Sequence, residues 1–189
     1  MATCSGSVRL ASATSSLDGW DQNEFLPAPI GGLDFGAIGG FPGMGNQPHG
    51  PIRLQVGFEA IGSVNTGFGA RHIHSKHGDV ILDANYEFIE DYIWDVARNY
   101  SQIYDGDGPN RLNLVLFAHH SQQPNTNRRL NRLLIIEYRD DAGGGYWTTV
   151  TGYPVRANRK EKGRLLWERS EPAPSGPGST SPASEPSAS

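Results

Sequence analysis

Cysteine and long apolar runs are what this 189-residue sequence has least of. Its single cysteine, Cys4, excludes an intrachain disulfide and leaves no set of thiolates for a metal site. No apolar run approaches the roughly 20 residues that cross a membrane, and the first residues lack a charged segment followed by an apolar one. We therefore expect a cytoplasmic chain with no membrane partner and no visible secretion signal, stabilised by core packing.

Apolar residues are also scarce at both ends of the chain. Residues 170–189 are almost entirely Ser, Pro, Gly, Ala and Thr, and residues 1–50 pass from small polar residues into a Gly- and Pro-rich stretch. Such compositions bury too little apolar area to offset the entropy lost on ordering. We predict a disordered leader over 1–50, one domain over 51–169 that folds alone, and a disordered tail over 170–189. Alternatively, the scattered Leu, Ile and Phe residues of the leader dock on the domain.

The net charge of −4 argues against a chain that coats nucleic acid nonspecifically. The charge is unevenly distributed, because residues 1–110 hold 5 Lys and Arg against 13 Asp and Glu, whereas residues 111–169 hold 11 against 5. The basic half could present a local patch to an anion, or its charges could simply be solvated.

The periodicity after residue 83 is typical of an amphipathic helix. Apolar residues recur every three or four positions as far as Tyr100, with Arg98 in the last turn. A shorter helix is predicted over 68–77, ended by Gly78. Strands are predicted at 52–61, 111–119, 133–139, 146–155 and 165–168. The DDAGGG segment should join two of them in a hairpin, and helices followed by a run of strands predict an α+β fold with a small N-terminal helical part on an antiparallel sheet.

Three histidines, His72, His74 and His77, fall within the short predicted helix, next to Arg71 and Lys76. Imidazole exchanges a proton near neutral pH, so this cluster is a candidate acid/base site. At about 100° per residue, His72 and Lys76 point about 40° apart, whereas His72 and His77 diverge by about 140°. No two of these histidines have the four-residue spacing of zinc ligands, and the cluster contains no acidic residue, so we expect no metal.

These histidines also have structural interpretations. His77 precedes Gly78, where an imidazolium would favour the negative end of the helix dipole. Gly67 and Gly69 would leave the backbone before His72 open to a phosphate near the helix start. Solvent-facing positions are expected for His74, His119 and His120.

The predicted strand at 146–155 carries an unusual row of side chains. Strict alternation would place Trp147, Thr149, Thr151 and Tyr153 on one face. Two hydroxyls between two aromatic rings are unusual for a buried core, although threonine is also simply a good strand residue. Together with the histidine cluster, this row becomes the candidate partner surface.

The two motifs, GFGARHIHSKHG at 67–78 and YWTTVTGY at 146–153, together resemble the paired signature of the barnase/EndoU/colicin/RelE-like nuclease superfamily. The sequence is most similar to the phage-associated branch, which also occurs as toxin domains, and the resemblance covers residues 67–169. It implies a small helical part packed on a curved antiparallel sheet and metal-independent RNA cleavage without a cofactor. It also implies an RNA substrate, an immunity protein or inhibitor as a partner, and delivery into a target cell or packaging with a phage particle.

The resemblance also implies roles for individual residues. His72 and His77 match the two motif histidines and Thr151 the hydroxyl of the strand motif, so these three are the candidate catalytic residues. The candidate substrate-binding residues are Arg71, Lys76, Thr149 and Tyr153. In such sites a base deprotonates the ribose 2′-hydroxyl, an acid protonates the leaving oxygen, and cations hold the developing charge.

Two other functions remain open at this point. A mono-ADP-ribosyltransferase-like effector also combines an early His or Arg with Thr/Tyr strands, and Glu137 is a weak candidate for its catalytic carboxylate. A catalytically inactive phage-associated interaction module would keep the fold without the chemistry. An open cleft shared by His72, His77 and Thr151 would favour the nuclease, whereas buried imidazoles would favour a structural role.

Overall fold

In the part of the chain that the structure describes, seven strands form one curved mixed sheet on which two helices pack. The structure is a computed structural model, and it describes residues 17–59, 67–108, 110–121, 130–141, 143–157 and 163–170. The strands are β1 (Asp34–Ile38), β2 (Gly50–Arg53), β3 (Gln102–Asp105), β4 (Arg111–Leu116), β5 (Leu130–Arg139), β6 (Tyr146–Arg156) and β7 (Leu165–Glu168). The helices are α1 (Gly69–Leu82) and α2 (Ile89–Asn99), and a short 3₁₀ turn spans Ala118–His120. The predicted α+β class with a curved sheet is confirmed.

The strands lie in the order β1-β2-β6-β5-β4-β3-β7. The predicted hairpin is present as the antiparallel pair β5–β6. All neighbouring pairs are antiparallel except β2 and β6, which run parallel. The prediction of an antiparallel sheet is therefore wrong at this one pair. Strand β2 overlaps the start of the strand predicted at 52–61, but its parallel pairing with β6 is a tertiary contact that no local pattern signals.

The N-terminal region belongs to the core. Leu26 and Phe35 are 0% exposed and Ile38 is 1% exposed, and all three pack in the main apolar cluster. A Cβ at Gly36 would overlap the backbone oxygen of Ala97, so glycine lets β1 lie directly against α2. The prediction of a disordered leader is wrong for residues 17–50, and the docking alternative is correct there. Residues 1–16 and 171–189, where the rest of the leader and most of the tail were predicted, lie outside the described residues.

The two helices differ from their predicted lengths in opposite directions. The chain takes a left-handed conformation at Asn85 (φ 68°), and α2 therefore begins at Ile89 rather than near residue 83. Conversely, α1 continues through Gly78 to Leu82, because glycine inside a helix costs only about 1 kcal/mol relative to alanine. His77 is consequently inside α1, and its interpretation as a residue at the helix end is wrong. No helix within the described ranges is long and apolar enough to cross a membrane.

A bulge in β6 divides its side chains between the two faces of the sheet. Ile136 pairs with Thr149 while Ile135 pairs with Thr151, so one extra residue intervenes on β6. Trp147 lies in the main core. Beyond the bulge Thr151 faces the same way as its partner Ile135, on the face that carries a second apolar cluster. That cluster comprises Val115, Leu133 and Val155, with Tyr104, Phe117, Ile135 and Tyr153 packed against it. The prediction that residues 147, 149, 151 and 153 share one face is therefore wrong.

The burial of the N-terminal region yields a test. Phe35→Ala should lower the free energy of unfolding by about 3–5 kcal/mol, because it leaves a cavity in the core. The matched control Leu33→Ala changes a side chain that is 43% exposed, and its effect should stay within about 0.5 kcal/mol. Urea titration of the two variants measures both values. Equal stability of the two variants would show that β1 does not belong to the core.

Candidate functional site

The site lies where α1 packs along β6. At one end, the Ala70 amide donates to the backbone oxygen of Gln55 (2.9 Å), and the Gln55 side-chain oxygen accepts from the Thr148 hydroxyl (2.8 Å). At the other end, the rings of His77 and Tyr153 lie with their centroids 4.5 Å apart. Since residue numbers rise in the same direction along both elements, α1 and β6 run side by side with the same polarity. We call this junction the α1–β6 seam.

Two imidazoles meet at the seam. The ring centroids of His72 and His77 are 6.1 Å apart and the rings are nearly perpendicular. The helical wheel placed these side chains about 140° apart, but their rings approach each other, and that of His77 also lies against Tyr153 of β6. His72 is only 5% exposed, and its Nδ1 has no hydrogen-bond partner among the described residues. His77 is half-buried and stacks against Tyr153 at an interplanar angle of 30°.

Both imidazoles favour the neutral form. Burial lowers the pKa of His72, and the positive charge of Lys76 lowers it further, while the carboxylate of Glu59 opposes the change. Burial also lowers the pKa of His77, with further contributions from His72 and Lys76. A neutral imidazole at neutral pH can accept a proton, as a general base must.

The solvent side of the seam carries a cation. Lys76 is exposed and lies close enough to both imidazoles to shift their pKa values, so it could contact an anion that binds at His77. His74 is exposed, as expected from the sequence. The accessible part of the site is therefore His77, Tyr153 and Lys76, with His72 behind them.

The two threonines of the strand motif have different surroundings. Thr151 lies two residues from Tyr153 on the same face of β6, and its hydroxyl is buried without a hydrogen-bond partner in the described part of the chain. Thr149 lies before the bulge, is fully buried, and donates to the backbone oxygen of Arg53 at 3.3 Å. Thr151 thus shares a face of β6 with Tyr153, whereas Thr149 has a structural contact.

Arg71 does not point into the site either. Its guanidinium donates to the backbone oxygens of Gly57 (3.2 Å), Leu17 (2.7 Å) and Trp20 (2.9 Å). These bonds fasten the N-terminal segment to the start of α1. The candidate substrate-binding role of Arg71 therefore has no support in its contacts, because its donors are directed at protein carbonyls.

The start of α1 is closed to a phosphate. A Cβ at Gly69, where φ is +77°, would overlap the backbone oxygen of Gln55. The next two amides, of Ala70 and Arg71, already donate to the oxygens of Gln55 and Val56. The interpretation that glycine leaves this backbone open for an anion is wrong, because glycine here allows two backbone segments to touch.

Sequence analysis missed two residues beside the cluster. The Ser75 hydroxyl donates to a carboxylate oxygen of Glu59, which precedes α1 by ten residues. Residue 59 reaches the helix because Phe58 and Phe68 form a backbone bridge. No spacing in the sequence signals such a pair, since the bridge that creates it is a tertiary contact.

Two other sequence candidates have structural contacts. Both carboxylate oxygens of Glu137 are held by arginines, with Arg111 at 2.7 Å and Arg139 at 2.8 Å, so Glu137 does not favour an ADP-ribosyltransferase. His120 is partly buried rather than solvent-facing, with its Nδ1 2.7 Å from the Ser101 hydroxyl, whereas His119 is exposed as expected. Across the described ranges, no group of three or more His, Cys, Asp or Glu side chains is arranged to hold a metal ion.

The lowered pKa of His72 predicts how stability depends on pH. The unfolded state binds a proton at the usual pKa of about 6.5, while the folded state resists protonation to lower pH. Stability should therefore fall as the pH drops below about 6.5. His72→Gln should make this fall shallower, whereas the exposed control His74→Gln should leave it unchanged. Urea midpoints measured from pH 7.5 to 5 give the slopes, and identical slopes in all three proteins would contradict the prediction.

No protein-family model, curated protein or solved structure matches this chain.

Proposed function

We propose that this protein is a metal-independent endoribonuclease whose active site is the α1–β6 seam. The observation that carries the proposal is the pair of adjacent imidazoles with lowered pKa values, one of them accessible and next to a lysine. Neutral imidazole accepts a proton and ammonium stabilises a phosphate anion, which are two of the requirements of RNA cleavage by the 2′-hydroxyl. No cofactor takes part in this chemistry.

In the proposed reaction, His77 accepts the proton of the ribose 2′-hydroxyl. The 2′-oxygen forms a bond to the adjoining phosphorus, the bond from phosphorus to the 5′-oxygen breaks, and the products are a 2′,3′-cyclic phosphate and a 5′-hydroxyl. Lys76, which is close enough to His77 to affect its pKa, stabilises the charge that develops on the phosphate and gives a proton to the leaving oxygen in this proposal. Tyr153 holds the imidazole of His77 by stacking.

His72 and Thr151 take supporting roles in this proposal. His72 is 5% exposed and the Thr151 hydroxyl is buried, so neither contacts RNA unless α1 moves away from β6. Behind His77, His72 contributes to the pKa of the accessible imidazole. The burial of His72 is also the observation that favours the second candidate function, an interaction module that keeps the fold without catalysis. An immunity protein or inhibitor of the nuclease would have to cover His77 and Lys76.

The first test concerns metal ions. RNA cleavage by the purified protein should persist in excess EDTA, because the proposed reaction uses only side chains. Cleavage is measured on a labelled single-stranded RNA, with the 2′-deoxy analogue as a substrate that lacks the nucleophile and should resist. Loss of cleavage in EDTA with recovery on adding a divalent ion would contradict the proposed reaction.

The second test separates the histidines. His77→Ala should slow cleavage by about 10²- to 10⁴-fold, the usual contribution of a positioned proton-transfer group. The control His74→Ala removes an exposed imidazole three residues away on the same helix and should keep activity. Circular dichroism of both variants checks the fold. Unchanged cleavage by a folded His77→Ala variant would place the active site elsewhere.

A further inference from the structure

Glu59 is a carboxylate held against the helix that carries the imidazole pair. Phe58 and Phe68 exchange backbone hydrogen bonds of 3.0 and 3.1 Å, which fix the segment before Glu59 to the residue that precedes α1. The Ser75 hydroxyl then donates to the Glu59 carboxylate. Glu59 is exposed, yet it is tied to α1 through both its backbone neighbour and its side chain.

The hydrogen bond from Ser75, which we call the tether, places the Glu59 carboxylate about one helical turn from His72. Ser75 lies three residues after His72, and residues at this spacing are neighbours on one helix face, about 5–6 Å apart at Cβ. Lys76, four residues after His72, is on the same side. The buried imidazole therefore has an anion and a cation near it, which act on its proton in opposite directions.

The groups that surround His72 come from several elements. On α1 these are Lys76 and His77, and Tyr153 of β6 stacks on the far side of His77. Glu59 belongs to the segment before the helix and raises the pKa of His72, against burial and Lys76, which lower it. None of the charged side chains of α2 is among the groups that shift this pKa. His72 in turn lowers the pKa of His77.

We propose that Glu59 is a positioning residue of the imidazole pair: held by Ser75, it favours uptake of a proton by His72 against the larger effects of burial and Lys76, and through His72 it affects the charge that His77 experiences. Its importance for RNA cleavage depends on the proposed function, whereas its effect on the titration of His72 does not. A merely structural Glu59 would tether its segment to α1 and change stability alone.

Two variants separate the effect of the Glu59 charge from the effect of its hydrogen bond with Ser75. Glu59→Gln removes the charge but keeps an oxygen that can accept from Ser75, so the tether is preserved. Ser75→Ala keeps the charge and removes the tether. The control Glu87→Gln neutralises an exposed carboxylate elsewhere on the surface.

The experiment follows the imidazole signals of the full chain by NMR from pH 8 to 4.5. Glu59→Gln should lower the pKa of His72 by more than Glu87→Gln does, and it should move His77 by less than His72. Ser75→Ala should lower the pKa of His72 in part. Because the carboxylate is exposed, the difference between wild type and Glu59→Gln should shrink in about 1 M salt, where the screening length falls to about 3 Å. An unchanged His72 titration in a folded Glu59→Gln variant would overturn the proposal.

The same variants distinguish failure of this inference from failure of the proposed function. If Glu59→Gln shifts His72 while no protein cleaves RNA, the electrostatic role stands and the nuclease proposal fails. If RNA is cleaved but His72 titrates identically in wild type and Glu59→Gln, the nuclease proposal stands and the role of Glu59 fails.

Discussion

The parallel packing of α1 along β6 is the constraint on which the rest of the site depends. It requires the backbone around Gly57 to touch the backbone at the start of α1, and a glycine on each side makes this contact possible. A Cβ at Gly57 would overlap the backbone oxygen of Phe68, and a Cβ at Gly69 would overlap that of Gln55. Both adopt positive φ values, +66° and +77°, that other residues avoid. With this contact made, α1 brings His77 against Tyr153 of β6, and the ring of His72 lies beside that of His77.

The same packing creates a conflict between positioning and access. An imidazole that lies deep in the seam has a lowered pKa but loses contact with solvent, as His72 shows. An imidazole at the outer edge, His77, keeps access and is oriented by stacking on Tyr153. The two histidines, equivalent in the sequence motif, therefore have different capabilities in the fold.

How far the sequence predicts this structure depends on whether a feature is local. The amphipathic pattern of α2 and the β5–β6 hairpin depend on nearby residues, and both were predicted. Strand β1 is only five residues long and lies in a Gly- and Pro-rich region, so composition hid it, whereas β2 overlaps the strand predicted at 52–61. The bulge in β6, the burial of His72 and the arrival of Glu59 depend on tertiary contacts that no spacing records. The sequence thus identifies the histidines as candidates, whereas the surroundings of each one depend on the tertiary fold.

The fold also determines which of the charged side chains are paired or buried. Strands β4, β5 and β6 carry four arginines against one glutamate, which in sequence resembles a basic surface. In the structure Arg111 and Arg139 are both paired with Glu137, and Arg132 is 1% exposed. One carboxylate thus offsets one of these charges and burial covers another, and the chain as a whole is acidic. A polyanion would be held less by a long-range field than by short-range contacts at the seam, where Lys76 and the stacked rings of His77 and Tyr153 are accessible. Recognition and chemistry would then depend on the same few side chains.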